Sequence, residues 1–198
     1  MAKSLEPGYF DALYAADADP WRFETSAYED AKYRETLAAL PRERYANGVE
    51  IGCSIGVLTA RLATRCDRLL GLEVAQAALD AATKRVPPNV DLALSTLPET
   101  LPPGRFDLIM LSEVLYYFDG DGDGDGDGVR DMAATVTRIA RDDASIMLVR
   151  WLGPTPRYPL DGETAVQAFL DAMAANATVM HKQRARDYRL DVLRVRAA

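Results

Sequence analysis

The sequence predicts a doubly wound α/β fold, and three observations carry that prediction. Short apolar runs rich in Val, Ile and Leu recur along the chain, as strands buried on both faces do. Helical stretches separate them, so strand and helix alternate. The first of these strands runs into a glycine turn that opens a helix, VEIGCSIGVLT at 49–59.

Each element follows in order. The first 45 residues are rich in aromatics: Tyr9, Phe10, Tyr14, Trp21, Phe23, Tyr28, Tyr33 and Tyr45. Helical patterns are expected on either side of the Asp19-Pro20 break, roughly at 5–16 and 26–40. NGVEIG (47–52) is a strand, and apolar spacing makes 55–65 a helix. RLLGLEV (68–74) is a strand, 75–85 a helix and NVDLALS (89–95) a strand. RFDLIMLSEVLYYF (105–118) begins as a buried strand. A helix at 129–141, a buried strand at 144–152 and a helix at 163–175 come next. The last two strands, 177–184 and 187–195, are joined by Ala185-Arg186 and suit an antiparallel closing pair.

Composition excludes several function classes. The 198 residues suit one domain with a sizeable core, and 48% hydrophobic with 27% charged residues is ordinary for a globular protein. The net charge of −7 offers no basic nucleic-acid footprint. No apolar run approaches the ~18 residues that span a bilayer, and the N-terminus has no apolar signal core. Cys53 and Cys66, with no CxxC spacing, suit free thiols in a reducing cytoplasm. One histidine, His181, argues against a His-based metal cluster; its place late in a strand favours a structural or surface role.

The chemistry concentrates in 49–59. Glu50 ends the first strand, Gly52 and Gly56 flank the turn, and the second strand ends in Glu73, seventeen residues beyond Gly56. Glycines let the backbone bend sharply and let a ligand approach it. A strand-terminal acid can accept hydrogen bonds from both hydroxyls of a ribose. A dinucleotide site wants GxGxxG, with a pyrophosphate at the helix N-terminus. Here the pattern is E-x-G-x-S-x-G, with Ser54 in the middle and no GxGxxG. An acid two residues before the first glycine would repel a pyrophosphate but would suit the ammonium of a methionine moiety. The pattern resembles the [DE]xGxGxG mark of class I S-adenosylmethionine methyltransferases.

A narrower resemblance rests on YFDALYAADADPWRFETSAYEDAKY (9–33), VEIGCSIGVLTARLATRCDRLLGLEV (49–74) and PPGRFDLIMLSEVLYYF (102–118). These stretches resemble the nodulation protein S family, S-adenosylmethionine-dependent N-methyltransferases acting on partly deacetylated chitooligosaccharides, with many relatives of unassigned substrate. The resemblance covers about residues 8–165. It implies a Rossmann-like class I methyltransferase fold: a seven-stranded mixed sheet of order 3-2-1-4-5-7-6, helices on both faces and an N-terminal helical cap. Residues 1–45 would form that cap, and 46–198 the cofactor-binding domain.

The resemblance also implies roles. Glu50, Gly52, Cys53, Ser54 and Gly56 line the methionine part of S-adenosyl-L-methionine. Glu73 holds the ribose with Val74 beside the adenine, and Thr96 and Leu97 border the ring. Many relatives carry Asp at the position of Thr96, a stronger acceptor for the adenine amino group. Ser112 and Glu113 end the fourth strand under the sulfonium. Arg150-Trp151 stands where the family often reads His-Trp, and Val166 where relatives carry a His. Those departures bear on the acceptor more than on methyl transfer.

Methyl transfer is an in-line displacement at an already activated carbon, so proximity and alignment supply most of the catalysis. Glu113 is the first candidate for taking a proton from the acceptor or orienting its amine. Its alternative is a hydrogen bond to the N-terminal segment. One of Tyr116 and Tyr117 is expected to pack and the other to face the acceptor. Trp21 and Tyr28 either lid the sulfonium, where an aromatic face favours a cation, or pack the N-terminal helices. Arg22 or Lys32 either grips the cofactor carboxylate or is a solvated helix charge. Arg150 either binds an acidic substrate or pairs with Glu113 or an exposed Asp. Cys53 is a small residue in the turn, not a nucleophile.

The expected function is methylation of an amine on a small molecule or amino sugar. O-methylation of a natural-product-type acceptor and a degenerate, non-catalytic cofactor binder are the alternatives. A nicotinamide oxidoreductase is disfavoured by the missing GxGxxG. No nucleic-acid or membrane partner is expected, and monomer and homodimer are both open.

The run DGDGDGDGDG at 119–128 invites a calcium reading, and spacing argues against it. An EF-hand loop ends on a bidentate Glu at its twelfth position. Counting from Asp119, Asp121 or Asp123, that position is Arg130, Met132 or Ala134. The run is expected to be a solvated, mobile loop with no specific metal.

Overall fold

The computed structural model describes residues 3–120 and 128–197. Most of the expected solvated run, 121–127, lies outside the described residues. The strands form a seven-stranded sheet of order β3-β2-β1-β4-β5-β7-β6, the mixed order expected for the class I methyltransferase fold. By internal packing the chain divides into two compact units, one of residues 6–96 and one of residues 1–5 with 97–198.

The first unit begins with α1 (Pro7–Ala16), where proline takes an early helical position at which its missing N–H costs nothing. In α2 (Ala27–Ala38), the Ser26 side chain caps the helix by accepting from Glu29 N. β1 (Tyr45–Ile51), β2 (Cys66–Glu73) and β3 (Val90–Leu94) pair in parallel, β1 on β2 and β2 on β3. Between them run α3 (Val57–Leu62), closed by a short 3₁₀ turn at 63–65, and α4 (Gln76–Thr83). The expected single helix of 55–65 is thus shorter. Gly56 sits at φ +80°, outside helical space, so α3 starts only after it. A Cβ on Gly56 would lie 3.0 Å from the Ala82 side chain, so the glycine also lets α4 pack close to the turn.

In the second unit, β4 (Phe106–Ser112) pairs in parallel with β5 (Ala140–Trp151). β7 (Tyr188–Val195) runs antiparallel to β5, and β6 (Ala177–Arg184) antiparallel to β7. Residues 144–150 of β5 are all buried, as a strand covered on both faces requires. β5 starts four residues earlier than its apolar run predicts. Its first residues, Ala140-Arg141-Asp142-Asp143, are mostly polar, and Asp143 takes a positive φ. Two helices complete the unit, α5 (Gly128–Ile139) and α6 (Gly162–Met173); Asp161 caps α6 by accepting from Thr164 N at 2.9 Å. His181 lies exposed on β6.

Both ends of the acidic run are tied. The Asp119 carboxylate accepts from Ser4 Oγ at 3.0 Å and from Gly128 N at 2.8 Å, and Asp119 N donates to Ser4 Oγ at 3.0 Å. This first aspartate therefore ties the two ends of the run together. A Cβ on Gly128 would lie 2.7 Å from that carboxylate, which is why a glycine ends the run.

Candidate functional site

In the first unit, the end of β1 and the end of β2 present their acids to one turn. Gly52 N and Cys53 N both donate to Leu72 O at 2.9 Å, which ties the turn to the last residues of β2. Ser54 takes φ +50°, a left-handed conformation that a non-glycine residue adopts at a cost. It is gripped from two sides. The Glu73 carboxylate accepts from Ser54 N at 2.7 Å, and the Ser54 hydroxyl shares a 2.5 Å hydrogen bond with Tyr14. Glu73 also accepts from Val74 N at 2.9 Å and Ala75 N at 3.2 Å, at the start of α4. Burial raises the Glu73 carboxyl above its ordinary range, and these three backbone donors pull partly against it. Cys53 is buried and packs against Gly71, where a Cβ would lie 3.2 Å from its sulfur. Burial pushes its thiol well up, which leaves no thiolate for nucleophilic chemistry.

Glu50 is the unusual group. It is only 2% exposed, and its Oε2 has no hydrogen-bond partner among the described residues. Burial pushes its carboxyl up to about 8, against the Thr59 hydroxyl of α3 and with a smaller push from the charge of Glu73. A buried carboxylate oxygen with spare acceptor capacity, two residues before a glycine turn, fits a charged N–H donor such as an ammonium. The residues present therefore suit the methionine end of the expected cofactor.

The N-terminal aromatics gather as rings on rings. Trp21 is half-buried, stacks on Phe23 at 5.5 Å and meets Tyr14 edge-on at 5.8 Å. Tyr28 has the Lys32 ammonium 5.2 Å from its ring centre. Lys32 is itself buried in α2 and pairs with Glu29 at 2.8 Å, while Arg22 pairs with Asp17 at 2.8 Å. Val74 and Thr96 are half-buried, and Ser95 N donates to Glu73 O at 2.8 Å.

In the second unit, Leu97 is buried and Ser112 half-buried at the end of β4. Glu113 follows with φ +58°, its N–H held by Val149 O of β5 at 2.8 Å. Leu115–Tyr117 form a 3₁₀ turn. Both tyrosines enter one ring cluster with Tyr158, from the loop after β5. Tyr116 stacks on Tyr158 at 5.3 Å, and Tyr117 meets the two rings edge-on at 4.8 and 4.9 Å. Tyr116 is buried and Tyr117 half-buried; burial, with Glu113 and the neighbouring phenols, raises both phenols well above their ordinary range. Arg150 turns inward rather than toward a ligand. It is 2% exposed and pairs with the fully buried Asp191 and, at 2.6 Å, with Glu163 of α6.

Sequence reasoning missed three participants. Tyr14 reaches the glycine turn from α1, Thr59 of α3 acts on the Glu50 carboxyl, and Tyr158 joins Tyr116 and Tyr117 from about forty residues on. The only sequence signal for Tyr14 was the aromatic density of the first 45 residues.

Comparison with known proteins identifies the family of the chain. The family model for nodulation protein S matches residues 12–144. Nodulation protein S of Rhizobium tropici is 35% identical over 106 residues, which cover 52% of this chain and 44% of that protein. That of Bradyrhizobium diazoefficiens is 33% identical over 102 residues, 50% of this chain and 49% of that one. The matches thus span about half the length of these curated relatives. Among solved structures, N-methyltransferase NodS from Bradyrhizobium japonicum in complex with S-adenosyl-L-homocysteine superposes with a TM-score of 0.80 at 22% identity, covering 95% of this chain and 97% of that one. Magnesium protoporphyrin IX methyltransferase from Synechocystis, with bound S-adenosylmethionine, has a TM-score of 0.69 at 13% identity and full coverage of both chains. At these identities the structural likeness is one of fold.

Proposed function

This chain belongs to the nodulation protein S family, and from that premise we propose that it is an S-adenosylmethionine-dependent methyltransferase acting on an amine of a small molecule or amino sugar. The observation that carries the reading is Glu50: a buried carboxylate with an unpartnered oxygen at the end of β1, beside a glycine turn stapled to Glu73. Residues 1–45 serve as the cap and 46–198 as the methyltransferase domain of a cytoplasmic enzyme.

When bound, the cofactor supplies a methyl group already activated on sulfur. The chain's residues then have these tasks. Glu50 accepts from the ammonium, within the turn of Gly52, Cys53, Ser54 and Gly56. Glu73 accepts from a ribose hydroxyl; of its about four lone-pair sites, the three backbone bonds leave about one. Val74, Thr96 and Leu97 border the adenine, with Thr96 a weaker partner than the aspartate common in relatives. On the family pattern, Trp21, Tyr28 and Ser112 would serve the sulfonium. Glu113 orients the acceptor amine and takes its proton, while Tyr116 and Tyr117 bound the acceptor.

Calorimetric titration with S-adenosylhomocysteine tests the cofactor, with NADH as the contrast. Micromolar binding of the first and none of the second is the expected result; no binding at millimolar S-adenosylhomocysteine would end the proposal. Candidate amines and alcohols with labelled S-adenosylmethionine then identify the acceptor.

A pH dependence follows from Glu50. Only its deprotonated form pairs with an ammonium, and its carboxyl titrates near 8 rather than near the usual 4.5. Affinity for S-adenosylhomocysteine should therefore rise with pH, nearly tenfold from pH 6 to pH 7. The Glu50→Gln variant should bind more weakly and show a flat profile over the same interval. A flat profile in the unmodified protein would remove Glu50 from the site.

A further inference from the structure

We propose that Tyr14 is a positioning residue for the cofactor's amino-acid moiety, acting through its hydrogen bond to Ser54; the inference rests on the cofactor reading above. Several observations converge on this phenol. Tyr14 is 7% exposed, and its hydroxyl lies 2.5 Å from Ser54 Oγ across 40 residues of chain. Trp21 backs its ring edge-on at 5.8 Å. Burial already holds the phenol strongly in its protonated form, and the nearby charges of Glu73 and, more weakly, Asp19 act in the same direction.

Ser54 supplies the reason for such a contact. The related pattern carries glycine at this middle position, and the backbone there is left-handed, at φ +50°. A serine in that conformation forfeits the freedom that makes glycine suitable. It gains a hydroxyl, and the hydroxyl is the anchor for α1. With Glu73 holding its N–H and Tyr14 holding its side chain, Ser54 is fixed from two independent elements. The turn of 52–56 is then presented to a ligand in one conformation, and less ordering remains to be done on binding.

Three variants test this: Tyr14→Phe, Ser54→Gly and the double substitution. Two ligands separate positioning from a merely structural effect: S-adenosylhomocysteine, and 5′-methylthioadenosine, which lacks the amino-acid moiety. Phenylalanine keeps the ring against Trp21 and removes only the hydroxyl. Each single variant should bind S-adenosylhomocysteine about three- to tenfold more weakly, the loss of one net hydrogen bond. Each should keep its affinity for 5′-methylthioadenosine within about twofold, and the double variant should be no worse than either single.

Tyr14→Phe binding S-adenosylhomocysteine as the unmodified protein does would overturn the proposal. So would equal losses for both ligands, losses that multiply in the double variant, or tighter binding, which would make the phenol an obstruction. If the unmodified protein binds neither ligand, the cofactor reading fails and this inference with it. Unchanged binding in the variants alone removes only the role of Tyr14.

Discussion

Asp191→Ala is expected to be the most damaging single substitution in the chain, costing about 3–5 kcal/mol of stability. Asp191 is fully buried on β7 and accepts from Arg150 and, at 3.2 Å, from Arg189. Arg150 is almost as deeply buried on the neighbouring strand, opposite Arg189 in the register. Two opposite charges out of water hold each other at a cost that only their pairing offsets. Removing one leaves a buried guanidinium whose remaining partner, Glu163, is nearly half exposed and shared with Arg184 and Arg189. For a chain of this size the melting temperature should fall by about 6–20 °C. Combining Asp191→Leu with Arg150→Met should recover much of the loss, because a well-packed apolar pair needs no charge compensation. A scanning calorimetry trace for Asp191→Ala within about 2 °C of the unmodified protein would show that the pair carries no such weight.

Glu73→Ala is expected to weaken S-adenosylhomocysteine binding by about 1–3 kcal/mol, roughly five- to 150-fold, through an unpaired ribose hydroxyl. It should also destabilise the protein before any ligand arrives. The carboxylate accepts from Ser54, Val74 and Ala75 N–H groups, so alanine strips the turn of its staple and leaves three donors seeking water. Glu73→Gln keeps one carbonyl acceptor and should fall between the two in both respects. Titration calorimetry and thermal melts on the same samples separate the effects. Affinity unchanged in Glu73→Ala would place the cofactor elsewhere.

Much of the fold was legible because its signals are local. The burial at the middle of β5 is written in its apolar run 146–149, and the glycines of 49–59 mark a turn that only their conformations permit. Element ends moved where a single backbone conformation intervened, as Gly56 delays α3. The acids at the ends of β1 and β2 could be named in advance because spacing alone puts them there.

What pairs with what was another matter. Arg150, expected to reach for a ligand or an exposed partner, turns into the protein toward Asp191, forty-one residues on. Nothing in either local stretch encodes that contact; it exists because β7 returns antiparallel to β5. The Tyr14–Ser54 bond and the joining of Tyr158 to Tyr116 and Tyr117 arise in the same way, from segments that meet only once the chain has folded. The sequence by itself determined strand, turn and helix, the glycine turn and its two acids, because backbone conformation and burial pattern are properties of neighbouring residues. Only the tertiary structure decided which acid is left with an unpartnered oxygen, which is stapled and which neutralises a buried arginine, since hydrogen bonds and desolvation depend on the residues brought alongside.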